Sequence, residues 1–264
     1  MENGAVENWG SRKRRERKKN RENEVPLHGG RITPGVVRAG DTVRRPAGSS
    51  SRFVAELLTH LHQQPGFTGA PRHLGFDSDG REILSYLPGW VPARFQTWRT
   101  CQVAAAGTLL RSLHDATRNS RLTGPCSVVC HNDPGPNNTV FSDGVPVAFI
   151  DYDTAAPGEP LEDLGYMAWT WCISSKPTAP PPTSQATQLR ILTDAYGLDA
   201  ASRPHLLDAI LTRQLRNAAW WRTHLTSPPP HAATNAEIHN RIHWSEDEHA
   251  YTTTHRKTFA AALH

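Results

Sequence analysis

Long apolar runs are missing from this chain of 264 residues. None approaches the roughly 20 residues that cross a bilayer, so no membrane span is expected. The charged amino-terminal stretch has no apolar core of the kind a secretory signal needs, and the chain is read as cytoplasmic. Cysteine is scarce. Cys101, Cys126, Cys130 and Cys172 form neither C-x-x-C pairs nor a regular framework, which argues against a disulfide scaffold and fits reduced thiols. Zinc held by Cys126, Cys130 and His131 is a minor alternative. No internal repeat is present, so a solenoid is not expected. The body also lacks a charge excess. Residues 1–24 carry eight basic and five acidic side chains, or +3 of the formal +4. The basic pI therefore describes a tail.

That tail, with the run Arg12-Lys13-Arg14-Arg15-Glu16-Arg17-Lys18-Lys19, repels itself and cannot bury a core. It reads as a disordered basic extension over 1–24. Attraction to nucleic acid through it is the minority reading, and nucleic acid is not expected as a partner.

The body divides by pattern into a strand-rich part, 25–92, and a helical part, 93–264. Gly29-Gly30 opens the first. Val36-Val37-Arg38 and Thr42-Val43-Arg44-Arg45 read as two strands joined by Ala39-Gly40-Asp41. Arg44 and Arg45 end a strand, where one of them would reach nucleotide phosphates. Ser49 to Gln64 reads as a helix with Phe53, Val54, Leu57, Leu58 and Leu61 on one face, stopped by Pro65-Gly66. Glu56 sits beside that stripe as a candidate partner for Arg44. Arg81 to Leu87 reads as a strand running into a hinge at Pro88-Gly89. The backbone near Ser85 and Leu87 would there read a nucleotide base.

In the second part a helix is expected over about Thr97–Thr117, ending near His114, which reads as a packed residue rather than a ligand. Further helices are expected from near Leu161, over Ser184–Tyr196, Ser202–His224 and Ala233–Ala262. Strands first and helices after predict an α+β fold.

The chemistry concentrates between these parts. His131-Asn132-Asp133-Pro134-Gly135-Pro136-Asn137-Asn138 is a polar loop after a short apolar run. Thr139-Val140-Phe141 and Val145 to Ile150 make a hairpin about Ser142-Asp143-Gly144. Asp151 ends its second strand. The hairpin would gather Asp133, Asn138 and Asp151 at one end of a small sheet. Two carboxylates and an amide are hard oxygen ligands suited to Mg²⁺. Asp133 and Asn138 stand as D-x-x-x-x-N, the spacing of a phosphotransferase catalytic loop, with Asp151 placed like the metal-binding Asp that follows it. Asp163, in the first turn of the next helix, suits the helix dipole and would fix neighbouring backbone.

These residues, with Pro157-Gly158-Glu159-Pro160-Leu161-Glu162-Asp163-Leu164 and Val43-Arg44-Arg45-Pro46, resemble the aminoglycoside phosphotransferase family of the protein-kinase-like fold over about residues 25 to 260. The resemblance implies a two-lobed fold, with a small β-rich amino-terminal lobe and a larger helical carboxy-terminal lobe. It implies that Asp133 is the catalytic base, that Asn138 and Asp151 ligate Mg²⁺, and that Arg44 replaces the usual phosphate-contacting lysine. ATP or GTP would donate the γ-phosphoryl group to a hydroxyl of a small molecule, an aminoglycoside-like antibiotic among the candidates. A cationic acceptor would need acidic residues on the helical lobe; Glu159, Glu162 and Glu246-Asp247-Glu248 could supply them, though each reads first as a solvated surface residue. The alternatives are a nucleotide-binding regulator without turnover and a nucleic-acid-binding protein acting through the tail.

Overall fold

The computed structural model describes residues 24–27, 35–92, 96–226 and 234–264. The basic run and Gly29-Gly30 lie outside them. Short strands, each a few residues long, build the amino-terminal lobe: β1 (Val25–Pro26), β2 (Val37–Ala39), β3 (Thr42–Arg45), β4 (His73–Phe76) and β5 (Glu82–Ser85). They pair antiparallel in the order β1-β2-β3-β5-β4. Helix α1 (Ser51–His62) buries Val54, Leu57, Leu58 and Leu61, the apolar stripe its spacing predicts.

The two faces of the sheet carry different chemistry because side chains alternate along a strand. Arg45 opposes Glu82 in the β3–β5 register, and Arg44 opposes Ile83. Val43, Arg45, Glu82 and Leu84 share the inner face. Arg44 turns to the outer one, where Glu24 meets it at 3.5 Å and meets Arg81 at 2.7 Å. Glu24, assigned by sequence to the tail, is thus a fixed part of the lobe.

The chain crosses to the second lobe past Gly89, whose φ of 143° suits glycine. A Cβ there would come within 2.4 Å of the Phe141 carbonyl oxygen. This close approach lets Trp90 and Phe141 exchange backbone hydrogen bonds at 3.0 and 2.8 Å. The lobe then runs α2 (Thr100–Thr117), β6 (Val128–Cys130), β7 (Thr139–Ser142), β8 (Val145–Phe149) and β9 (Ala156–Gly158). Helices follow: α3 (Pro160–Cys172), α4 (Pro182–Tyr196), α5 (Leu206–Thr223), α6 (Asn235–Thr254) and α7 (Arg256–Leu263). The last helix expected from sequence is two, divided at His255. The short strands β4, β6 and β9 went unread because runs of three or four residues carry almost no periodicity.

β7 and β8 form the expected hairpin. Asp143 and Gly144 both have positive φ, as a two-residue type I′ turn requires. β6 pairs with β9, which clamps the entry of the His131–Asn138 loop to the segment after Asp151. In α3, Gly165 lies against Ala209 of α5, where a Cβ would meet backbone at 2.9 Å. That contact carries Arg213, one turn further along α5, to the loop that holds Asn132. Among the described residues no helix is long and apolar enough to cross a membrane.

Candidate active site

The loop between β6 and β7 is held from several sides. Asp163 in the first turn of α3 accepts from the N–H groups of His131 and Asn132, at 2.6 and 2.7 Å. His114 of α2 lies 3.1 Å from the same carboxylate and 2.8 Å from the Tyr196 hydroxyl. Burial alone would raise the Asp163 pKa. The hydrogen bond and charge of His114, with His131, hold it below the usual carboxylate range instead. His114 is packed, as its sequence reads.

His131 ties the loop to the strand that ends in Asp151. Its Nδ1 accepts from the Asp133 N–H at 3.3 Å, and its Nε2 donates to the Ile150 carbonyl at 3.1 Å. That bonding pattern assigns a neutral ring. Burial favours the same state by lowering the His131 pKa.

Asn132, next to Asp133, has φ of 65°, the left-handed region that Asn tolerates better than most residues. Its N–H is held by Asp163, its side chain donates to Thr154 O at 3.0 Å, and its carbonyl accepts from Arg213 at 2.6 Å. The Arg213 guanidinium also stands 5.0 Å from the centre of the Tyr166 ring. Nothing in the sequence singles out Arg213. It lies 80 residues from Asp133 on an ordinary amphipathic helix.

Asp133, Asn138 and Asp151 come together as the hairpin requires. The Asn138 amide donates to the Asp133 carboxylate at 2.7 Å and to its carbonyl at 3.0 Å. This bonding fixes which end of the amide is nitrogen; the Asn138 amide oxygen accepts from the Asn137 amide at 3.2 Å. Ile150 N–H donates to Asn138 O at 2.9 Å, placing Asp151 beside it. Asp151 also has a left-handed backbone, with φ of 63°. Burial pushes the Asp133 pKa up to about 6, opposed by the Tyr166 hydroxyl and reinforced by the Asp151 charge. Burial and then the Asp153 charge raise Asp151 in turn.

The carboxylates of Asp133, Asp151 and Asp153 outnumber the two cations near them, Arg45, which pairs with Asp151 and Asp153, and Arg213, whose charge lowers the Asp133 pKa. All the donors are hard oxygen atoms. Both facts fit Mg²⁺, and Asp133 Oδ1, buried without a well-aligned hydrogen-bond donor, fits an incoming polar group.

Four sequence assignments change. Arg45, not Arg44, faces the site. It reaches Glu82 at 3.2 Å, Asp151 at 3.3 Å, and Asp153. Strand alternation is the reason, since adjacent residues take opposite faces. Glu56 pairs with Arg52 at 3.6 Å and Arg121 at 3.9 Å, away from Arg44. Its place as the buried partner of the arginine is taken by Glu82, fully buried on β5. Ser85 has its N–H on Arg72 O at 2.9 Å and its hydroxyl on Arg72 N at 2.8 Å, so those groups serve the small lobe. Leu87 follows at the crossing. The zinc trio does not form as read. Cys130 instead lies near His114 and Asp163, and the Asp163 oxygens there are already taken by N–H groups.

Residues 38–205 match the phosphotransferase enzyme family. The trifolitoxin immunity protein of Rhizobium leguminosarum bv. trifolii is 32% identical over 262 residues, covering 91% of this chain and 98% of the relative. Among solved structures, a choline/ethanolamine kinase family protein from Mesorhizobium loti superposes with a TM-score of 0.59 at 19% identity, over 91% of this chain and 92% of that one. A spectinomycin phosphotransferase in complex with ADP and spectinomycin gives 0.60 at 13% identity, over 86% and 92%. The chain therefore belongs to the phosphotransferase enzyme family and has its two-lobed, kinase-like fold.

Proposed function

We propose that the protein transfers the γ-phosphoryl group of a nucleoside triphosphate to a hydroxyl of a small molecule. The observation that carries this reading is the single cluster of Asp133, Asn138 and Asp151, joined by the Asn138–Asp133 hydrogen bond and the His131 bridge. Asp133 orients the acceptor hydroxyl and takes its proton as the new P–O bond forms. The bond from the γ-phosphorus to the β–γ bridging oxygen breaks, and the nucleoside diphosphate leaves. Asn138 and Asp151 would hold Mg²⁺, which when bound neutralises phosphate charge. Arg45 approaches the phosphates from the small lobe, kept in place by Glu82. The backbone about Leu87 reads the base. Catalysis then rests on positioning in a desolvated cleft.

The relative named a trifolitoxin immunity protein supports protection against a toxin as the setting. The test is nucleotide consumption with ATP or GTP, Mg²⁺ and a panel of hydroxylated compounds. At least one acceptor should stimulate diphosphate release well above the acceptor-free rate. Nucleotide binding with no stimulation by any acceptor would favour a regulator without turnover.

A further inference from the structure

The acidic residues that the sequence offers to a cationic acceptor are engaged elsewhere. Glu159 accepts from the N–H and hydroxyl of Ser127, at 3.2 and 2.5 Å. Glu162 pairs with Arg216 at 2.6 Å, and Glu246 pairs with Arg222. Glu248 is buried and accepts from the N–H and hydroxyl of Ser175, at 3.0 and 2.9 Å. Asp247 is exposed, about half a turn round α6 from buried Ser245.

The charge that the helices bring beside Asp133 is positive instead. Arg213, Asn217 and Trp221 stand at i, i+4 and i+8 on α5 and so form one stripe. Arg213, at its start, holds the Asn132 carbonyl through Nη2. Among the described residues no carboxylate forms an ion pair with Arg213. At the far end of the stripe Arg241 of α6 lies over the Trp221 ring, 4.2 Å from its centre. Between the two arginines the Asn217 amide donates to Ser245 Oγ at 2.8 Å, which joins α5 to α6. Both arginines are half-buried. Their charges meet at the Tyr166 hydroxyl, which faces Asp133. Burial and the Asp133 charge raise the Tyr166 pKa, and the charges of Arg213 and Arg241 oppose them.

A guanidinium matches a carboxylate in shape and grips it with two parallel hydrogen bonds. An ammonium group in the same place would meet two like charges. A doubly charged phosphate would add to the negative charge of Asp133, Asp151 and the nucleotide, so a singly charged anion is favoured.

We propose that the acceptor is a hydroxylated carboxylic acid, with its carboxylate between Arg213 and Arg241 and its hydroxyl directed at Asp133. Naming that molecule the acceptor rests on the phosphotransferase reading; binding of the carboxylate does not. Arg213, Asn217 and Arg241 lie beyond residues 38–205, the part that matches the family. The preference therefore belongs to the carboxy-terminal helices of this chain.

Glycerate, its neutral amide and the matching amine, 3-aminopropane-1,2-diol, differ in charge and little else. Titrated into the full chain without nucleotide and followed by tryptophan fluorescence, they test the site. Glycerate should bind about tenfold or more tightly than the amide, the value of a charge-assisted hydrogen bond, and the amine should bind most weakly. Arg241→Gln should remove the advantage of glycerate. No binding of glycerate, equal binding of the three, tighter binding of the amine, or an advantage that survives Arg241→Gln overturns the proposal. Should that variant not fold, Asn217→Asp sets a carboxylate between the arginines. It should weaken glycerate about tenfold and leave the amide within about twofold; unchanged glycerate binding overturns the proposal. Transfer from γ-labelled ATP is scored separately on the same compounds. Preferential binding of glycerate without transfer removes the phosphotransferase reading and leaves the anion site. Transfer to the amide or the amine as readily as to glycerate does the reverse.

Discussion

In the proposed reaction Asp133 accepts a proton late, and its environment suits that task. A carboxyl at the usual value is a weak base, whereas burial sets this one at about 6. It carries its proton below that value, so kcat/KM should fall on the acid side with an apparent pKa near 6 in the free enzyme. The pH profile checks this; a limb near 4 would mean that Asp133 is solvated. The same shift opposes folding above the unfolded pKa, so stability should decline as pH rises from about 4 to about 6. Arg213 acts on this group from α5, lowering its pKa and gripping the Asn132 carbonyl. Arg213→Gln should therefore move the acid limb upward and reduce kcat about tenfold or more, with nucleotide KM within about twofold. A change in KM alone would assign Arg213 to binding.

Strand β3 shows what one residue of alternation decides. Arg45 and Arg44 are chemically identical and adjacent, yet one faces two active-site carboxylates and the other an outer ion pair. Arg45→Ala should raise nucleotide KM about ten- to a hundredfold, the value of a charge-assisted hydrogen bond or two. Arg44→Ala should leave it within about twofold. Steady-state kinetics on the pair separates the faces; the reverse result would require the opposite register. The first turn of α3 is the second such element. Asp163→Asn replaces one acceptor oxygen with a donor against two N–H groups and His114, in a fully buried place. It should cost about 3–5 kcal/mol, or roughly 10 °C in Tm, read by thermal unfolding.

Much of this was legible in advance because the catalytic hairpin is local. Asp133, Asn138 and Asp151 lie within 19 residues of one another, and turn chemistry alone brings them together. The first turn of α3 is nearly as close. Arg213 and Glu82 were not legible, since their positions depend on how α5 and β5 pack, and nothing local marks them. The choice between Arg44 and Arg45 turned on a one-residue register that two consecutive arginines leave open.

At the scale of the molecule, the two lobes each supply part of one site. Arg45 and Glu82 come from the small lobe, and the carboxylate cluster comes from the large one. The ion pairs of Arg45 with Asp151 and Asp153 cross between them. The central claim is that this cluster transfers phosphoryl groups, and single-turnover transfer from γ-labelled ATP tests it most directly. Wild type and Asp133→Ala are compared at equal nucleotide occupancy, with the acceptor that most stimulates turnover. Label should pass to the acceptor with the wild type, and about 10²- to 10⁴-fold more slowly with Asp133→Ala, while nucleotide binding is retained. Transfer by Asp133→Ala at the wild-type rate would contradict the account.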